Sequence, residues 1–307
     1  MSNISKIVDF FKAHPYAIRM GAGKLSKRLH CKREDIYKAR ELYRSSCISK
    51  RPVKVLIFDV ETAPLSAYIW RIWKETISWD MVHREWFFLC WSAKWLYSDE
   101  VMSDVLSPEE ALSEDDSRIV KSLWHLIDEA DIVIAHNAKK ADVPWMNTRF
   151  ILNGLVPPSS YKVIDTLDIA RRQFRFSSNK LDALAGYFGI GHKIKTSFAL
   201  WEGCMKGNAE SLREMQRYNI MDVKILEEVY LKLRPRCLSH PNMNNLQDSA
   251  VLSCCKCGSS GLVVEEDKYY YTTTQKYKLY RCTDCGALTR SRYPEPREVI
   301  RSVGVNA

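Results

Sequence analysis

Three short runs put acidic side chains where they could do chemistry together. The first is Phe58-Asp59-Val60-Glu61-Thr62, directly after the apolar stretch Val55-Leu56-Ile57-Phe58. Side chains two residues apart on a strand share a face, so Asp59 and Glu61 point the same way. Two carboxylates crowded at the end of a buried strand repel each other and are costly to desolvate, and divalent cations offset both costs through hard oxygen ligands. Taken alone, this run reads equally well as an ordinary polar strand end.

The second run is Ala135-His136-Asn137, followed by Asp142 at the start of a helical pattern carrying Trp145, Met146 and Phe150. By itself Asp142 reads as an N-cap or first-turn acid favoured by the helix dipole, and His136 as a satisfied structural histidine. The third run is Tyr218-Asn219-Ile220-Met221-Asp222, on a helix with Met215, Val223, Leu226 and Val229. Tyr218 and Asp222, four residues apart, stack on one helical face, so the tyrosine could reach a water or ion that Asp222 holds.

The elements that must position these groups alternate. Apolar strands are expected at 53–58, 86–92 and 131–135, with helices around 116–129, around Leu181 and over 212–233, which is an α/β pattern. Breaks near Lys50-Arg51-Pro52 and Arg234-Pro235, the latter followed by the polar stretch 240–249, divide the chain. The expected domains are 1–52, 53–233 and 251–307, with a linker at 234–250.

Together, Asp-x-Glu, His-Asn-x4-Asp and Tyr-x3-Asp in these contexts resemble the 3′-5′ exonuclease superfamily with four acidic residues on a ribonuclease H-like fold. The resemblance is to its tyrosine branch, which includes the proofreading domains of family B DNA polymerases, and it covers roughly residues 53–233. Residues 87–95 (FFLCWSAKW) resemble that fold's second strand. The resemblance implies a mixed sheet with flanking helices and two Mg²⁺ or Mn²⁺ ions. Asp59 would bridge both ions, Glu61 and Asp222 would hold the one that activates water, and Asp142 the other through water. Tyr218 would orient the nucleophilic water, and Asn137 would contact nucleic acid. Such a pair of ions stabilises the entering and leaving oxygens of an in-line phosphoryl displacement, which suits a site with no Ser-His or Cys-His nucleophile motif. Ala141 departs from the pattern, since relatives usually carry Phe there. Asp165 and Asp168 are left outside the site as structural acids.

The flanks carry a different chemistry. Cys254 and Cys257 form one Cys-x2-Cys and Cys282 and Cys285 another, with Gly258 and Gly286 following each pair. This spacing suits one structural Zn²⁺ in a closed tetrahedral thiolate site, and the segment resembles β-rich zinc ribbons. Cys255 is a rival ligand. Tyrosines 269, 270, 271, 277 and 280, interleaved with lysines, could pack or stack bases.

At the other end, residues 24–44 (KLSKRLHCKREDIYKARELYR) resemble a helix-turn-helix, with Leu25 and Leu29 on the first helix and Ile36, Ala39 and Leu42 on the second. Arg33, Lys38, Arg40 and Arg44 would then face a groove or phosphates. A basic helical hairpin with solvated charges is the alternative. His30 stands where glycine is commonest in that turn.

Charge distribution fits a polyanionic partner. The chain of 307 residues has a net charge of +9. Residues 1–52 hold 13 basic and 4 acidic side chains, 53–233 hold 22 and 26, and 234–307 hold 11 and 7. With 46% hydrophobic and 27% charged residues the composition is globular rather than disordered or fibrous. No apolar run is long enough to span a membrane and the N-terminus lacks a signal-peptide block, so a cytoplasmic location, host cytoplasm if viral, is expected. There the ten cysteines serve as metal ligands and core residues rather than as disulfides.

The expected function is therefore 3′-5′ exonucleolytic release of nucleoside 5′-monophosphates from single-stranded DNA, with duplex contact through the N-terminal domain. The whole combination resembles stand-alone exonucleases of tailed bacteriophages, in settings such as replication or repair. Two rivals remain open: an endonuclease of branched nucleic acid, and a DNA-binding regulator built on an idle scaffold. The residues do not choose between DNA and RNA, a choice made by contacts to the 2′-hydroxyl.

Overall fold

The computed structural model describes residues 3–14, 17–18, 20–47, 52–73, 76–247 and 251–295, with the side chains of 44–47 outside that description. Two compact units emerge, Val53–Pro241 and a second comprising Met1–Pro52 and Asn242–Ala307.

In the second unit, α1 (Asn3–Ala13), α2 (Ala22–Arg28) and α3 (Arg33–Cys47) enclose a small core of Ile7, Val8, Phe11, Leu25, Ile36, Ala39 and Tyr43. Residues 36, 39 and 43 are spaced three and four apart, which defines the buried stripe of α3. The expected Leu42 falls outside that stripe and is 54% exposed. His30 turns the chain between α2 and α3 with φ +49°, the left-handed conformation for which glycine is favoured.

The unit Val53–Pro241 is a layered α/β structure. Its strands are β1 (Val55–Thr62), a short hairpin of β2 (Ser66–Ala67) and β3 (Val82–Arg84), β4 (Phe88–Trp95), β5 (Met102–Val105), β6 (Ile132–Ala135) and β7 (Lys162–Asp165). The main sheet has the order β5-β4-β1-β6-β7. The pairs β1/β4 and β4/β5 are antiparallel, and β1/β6 and β6/β7 are parallel. Its helices are α4 (Pro108–Ser113), α5 (Ser117–Glu129), α6 (Asp142–Leu152), α7 (Thr166–Gln173), α8 (Leu181–Tyr187), α9 (Phe198–Met205) and α10 (Ala209–Leu233).

Strand β1 runs further than the apolar pattern suggests. Its ladder with β4 continues through the acids, pairing Asp59 with Ser92 and Glu61 with Cys90, before a bulge at Glu61/Thr62. The antiparallel partner satisfies the backbone there, so the acids lie on the strand rather than beyond it. Leu56, Phe58 and Val60 face a core that includes Ile119, Leu123 and Ile127 of α5 and Met146 and Phe150 of α6. Each such side chain, fully buried, contributes about 1.5–3 kcal/mol. That anchoring leaves Asp59 and Glu61 on the opposite face, where α10 crosses.

Helix α10 is started by Asn208, whose side chain accepts the N–H groups of Glu210 and Ser211 at 2.9 Å each. The segment expected as a linker is built into this unit in its first part. Buried Arg234 donates to the Tyr97 hydroxyl at 2.7 Å, and the Tyr230 hydroxyl and His240 Nε2 lie 2.8 Å apart. Between β2 and β3 the chain exposes Trp70, Trp73 and Trp79 by more than 80% each. No helix among the described residues is long and apolar enough to cross a membrane.

The C-terminal strands β8 (Leu262–Tyr271), β9 (Lys276–Cys282) and β10 (Leu288–Arg290) follow the short α11 (Met243–Leu246) and form an antiparallel sheet in the order β10-β9-β8.

Candidate metal centre and active site

Three carboxylates, those of Asp59, Glu61 and Asp222, bring ligand oxygens within 4.8 Å of one another. Two come from one face of β1 and the third from α10, so the crossing of helix over strand builds the cluster. Asp142 opens α6 at the neighbouring β6 end. Its carboxylate serves as no N-cap: that position is Ala141, and the backbone N–H groups of Asp142 itself and of Val60 act on it instead. It stands outside the trio but near enough to Asp59 for mutual repulsion.

Electrostatically this cluster is unsatisfied. Burial pushes Asp59 well above the usual carboxylate range, and Asp142, Glu61 and Asp222 raise it further. Glu61 is pushed up to about 8 by burial and then by Asp222, against the pull of Lys193. Asp142 is pushed up to about 7, mainly by burial. Burial also raises Asp222, whose Oδ1 is buried without a hydrogen-bond partner. Oxygen ligands, mutual repulsion and an orphaned buried acceptor are what a hard divalent cation relieves, so these residues fit Mg²⁺ or Mn²⁺.

Two residues that the sequence reading passed over complete the site. Asn219, fully buried, donates from Nδ2 to Asp59 Oδ2 at 2.6 Å and so ties α10 to β1. Its signal was present, since residues 219 and 222 lie three apart on one helical face. Lys193 forms an ion pair with Asp222, donates to the Tyr218 hydroxyl at 3.2 Å and lies 5.2 Å from that ring's centroid. It comes from an irregular loop after α8 in which Gly189 and Gly191 have φ of +69° and +126°. No periodicity there could have announced it. Trp201 meets the Tyr218 ring edge-on at 6.3 Å, and burial pushes the phenol up to about 12, so it stays a protonated donor at neutral pH.

The turn between β6 and α6 is fixed from beneath. Asp165 accepts the N–H groups of Asn137, Lys139, Leu167 and Asp168 at 3.0–3.1 Å, a structural acid as the sequence suggests. Asn137 sits in the left-handed region at φ +77°. His136 contacts the Thr166 hydroxyl through Nδ1 at 2.9 Å and donates from Nε2 to the Asn179 carbonyl at 3.1 Å. Burial pushes it down to about 4, so it is a neutral structural ring. Asp168 is held by Lys139 and Arg172.

Beside the C-terminal sheet the sulfurs of Cys254, Cys257, Cys282 and Cys285 form a second cluster within 4.8 Å. The Cys254–Cys285 and Cys257–Cys282 sulfurs are each 3.6 Å apart. A tetrahedron with Zn–S bonds of ~2.3 Å requires sulfurs about 3.8 Å apart, so the set fits a single zinc ion. The two knuckles repeat: Gly258 and Gly286, with φ of +79° and +75°, donate to the carbonyls of Cys254 and Cys282 at 2.9 Å each. Cys255 turns away to Thr289 and the Leu288 carbonyl.

Of the expected nucleic-acid contacts on α3, Arg33 and Lys38 are exposed, although the Arg33 guanidinium lies against Gly23. Arg40 is a correction: it turns inward and donates to the Met20 carbonyl, which holds the chain leading into α2. The side chain of Arg44 lies outside the described residues.

The five-stranded mixed sheet flanked by helices is ribonuclease H-like. Residues 97–234 match the RNase_H superfamily, a span that takes in Asp142, Tyr218 and Asp222 but begins after β1. The chain is similar in structure to the family B DNA polymerase from the hyperthermophilic archaeon Pyrobaculum calidifontis, at 15% identity and a TM-score of 0.45, covering 74% of this chain and 32% of that one. The chain thus spans about a third of that polymerase's length. Among curated proteins none matches the chain.

Proposed function

We propose that the unit Val53–Pro241 is a divalent-metal-dependent 3′-5′ exonuclease that releases nucleoside 5′-monophosphates from single-stranded DNA. The observation that carries this is the trio Asp59, Glu61 and Asp222 within 4.8 Å, with Asp222 Oδ1 buried and without a hydrogen-bond partner and Tyr218 beside it. Two Mg²⁺ or Mn²⁺ ions held by Asp59, Glu61, Asp142 and Asp222 would supply an acidified water and neutralise charge on the phosphoryl group. Asn219 keeps the Asp59 carboxylate aimed at the cluster. The Tyr218 hydroxyl orients the attacking water, and Lys193, already turned to Asp222, gives positive charge where a phosphate oxygen arrives. One structural Zn²⁺ at Cys254, Cys257, Cys282 and Cys285 and a nucleic-acid contact through Arg33 and Lys38 belong to the same proposal.

The test is cleavage of 5′-labelled single-stranded DNA, duplex DNA and RNA by wild type and by Asp59→Ala with Mg²⁺ or Mn²⁺. A ladder shortening from the 3′ end, absent in the variant, is expected. Cutting of a circular substrate would replace the exonuclease with an endonuclease, and intact substrate with every metal would leave only a binding protein.

A further inference from the structure

We propose that the α7–α8 connection carries a single-stranded nucleic-acid binding surface, an aromatic stack flanked by unpaired cations, on which the strand entering the acidic site rests. This rests on and deepens the reading above, since it adds base contacts and further phosphate contacts to the one that Lys193 gives at the site.

The stack is three rings deep. Phe174 and Phe176 have centroids 5.1 Å apart and planes 20° apart, and Phe176 and Tyr187 follow at 5.5 Å and 13°. Phe188 meets Phe176 edge-on at 5.8 Å and braces the column from the side. The near-parallel rings form an offset stack of the kind aromatic side chains make, and its end ring, Tyr187, is 51% exposed. An aromatic face left open at the end of a stack accepts a base of any sequence, because every base has a π-face. In a duplex those faces are already covered, so the fit is to an unpaired strand.

The cations are placed for the backbone of such a strand. Arg171 lies in the last turn of α7, three residues before Phe174, and Lys180 immediately precedes α8, the helix that ends at Tyr187. Arg175 lies between the two phenylalanines in the chain. All three are exposed, and among the described residues none makes an ion pair. Exposed basic groups without an acid close by are available to phosphates. Arg172, in contrast, is already engaged by Asp168.

The surface is also fixed to the site. The His136 ring donates to the Asn179 carbonyl, between Phe176 and Lys180, and its own backbone precedes Asn137 and the turn leading to Asp142. A strand lying along the stack is thereby held in register with the end of β6, beside Asp59 and Asp142.

The test uses the full chain carrying Asp59→Asn, so that substrate persists, with a fluorescent single-stranded oligonucleotide read by anisotropy over a salt series. Adding R171A, R175A and K180A together is expected to weaken binding about tenfold or more, and to reduce the log–log salt slope by about 2, at ~0.7 for each phosphate contact on a single strand. Tyr187→Ala, at an exposed ring, is expected to weaken binding about fivefold with the slope unchanged. Photocrosslinks from an iodouridine oligonucleotide are expected within residues 171–188. Unchanged affinity and slope in the triple variant, crosslinks confined elsewhere, or equal loss for duplex and single strand would each overturn the surface. The two readings separate cleanly. Loss of binding in the triple variant with no cleavage by wild type keeps the surface and removes the exonuclease, whereas cleavage with unaltered binding removes the surface alone.

Discussion

Raising the pH on metal-free protein tests the carboxylate cluster most directly, because it forces charge onto groups that the fold keeps protonated. Glu61 and Asp142 are pushed up to about 8 and about 7. Unfolded, both titrate near 4–4.5. Between these limits the folded protein holds protons that the unfolded chain has released, so stability falls as pH rises through the folded values. His136 acts oppositely: pushed down to about 4, it costs stability as pH drops below its unfolded value of about 6.5. The window from pH 6.5 to 8.5 is therefore free of the histidine.

Over that window Glu61 alone loses about 2 kcal/mol and Asp142 about 1 kcal/mol, at 1.36 kcal/mol per tenfold change in proton affinity. Because the acids share one cluster and Lys193 offsets part of the charge, the net fall is roughly 2–3 kcal/mol. For a unit of this size that lowers Tm by about 5–10 °C. Calorimetry of protein dialysed free of Mg²⁺ and Mn²⁺ reads it. Added Mn²⁺ should raise Tm little at pH 6.5 and strongly at pH 8.5, since only ionised carboxylates bind it. Glu61→Gln should flatten the metal-free slope by about two thirds. A wild-type Tm that is level or rising from pH 6.5 to 8.5, or a Glu61→Gln slope equal to wild type, would refute the reasoning.

Other perturbations separate the roles within the site and the sulfur cluster. Tyr218→Phe should lower kcat about 10–100-fold while Mn²⁺ affinity, measured by titration calorimetry, stays within a factor of two; a matching loss of metal affinity would make the phenol a structural support. Lys193→Met removes the cation paired with Asp222, so metal-free protein should lose several degrees of Tm while Mn²⁺ binds more tightly, and unchanged Mn²⁺ affinity would show that the lysine does not compete for the site. Purified protein should contain about one zinc per chain, lost in Cys257→Ser and kept in Cys255→Ser, as read by elemental analysis; equal zinc content in both variants would remove the four-sulfur assignment.

What the sequence made legible was whatever local pattern determines. Asp59 and Glu61 share a face because a strand repeats every two residues, and Tyr218 and Asp222 because a helix repeats every 3.6. The repeated knuckle spacing foretold the four-sulfur cluster. Position in the tertiary fold was less visible. The extent of β1 through its acids depends on the register with β4, which only the folded sheet supplies. Arg40 looked like a surface cation by composition, yet a carbonyl twenty residues upstream claims it. Lys193 comes from a loop whose conformation follows from glycines with positive φ, and no hydrophobic period marks such a segment.

The charge count carries the same lesson in a sharper form. Summed over residues 53–233, 26 acids outweigh 22 bases, which assigns the grip on a polyanion to the flanks. The fold sorts those charges by depth. Asp142 and Asp222 are buried, and burial lifts the whole carboxylate cluster toward its neutral form, so the formal excess overstates the repulsion a phosphate meets. Arg171, Arg175 and Lys180 are exposed and have no ion-pair partner among the described residues, so their charge acts in full on an approaching strand. Screening limits an exposed charge to about 8–10 Å at ordinary salt, which makes local arrangement, not the net sum, the quantity that steers binding. A unit whose clustered acids are protonated or metal-bound while Arg171, Arg175 and Lys180 stay without ion-pair partners among the described residues can attract nucleic acid while counting as negative. For that reason deletion of residues 1–52 should leave a residual salt-dependent affinity for single strands, and abolition of all binding by that deletion would return the grip to the flank alone.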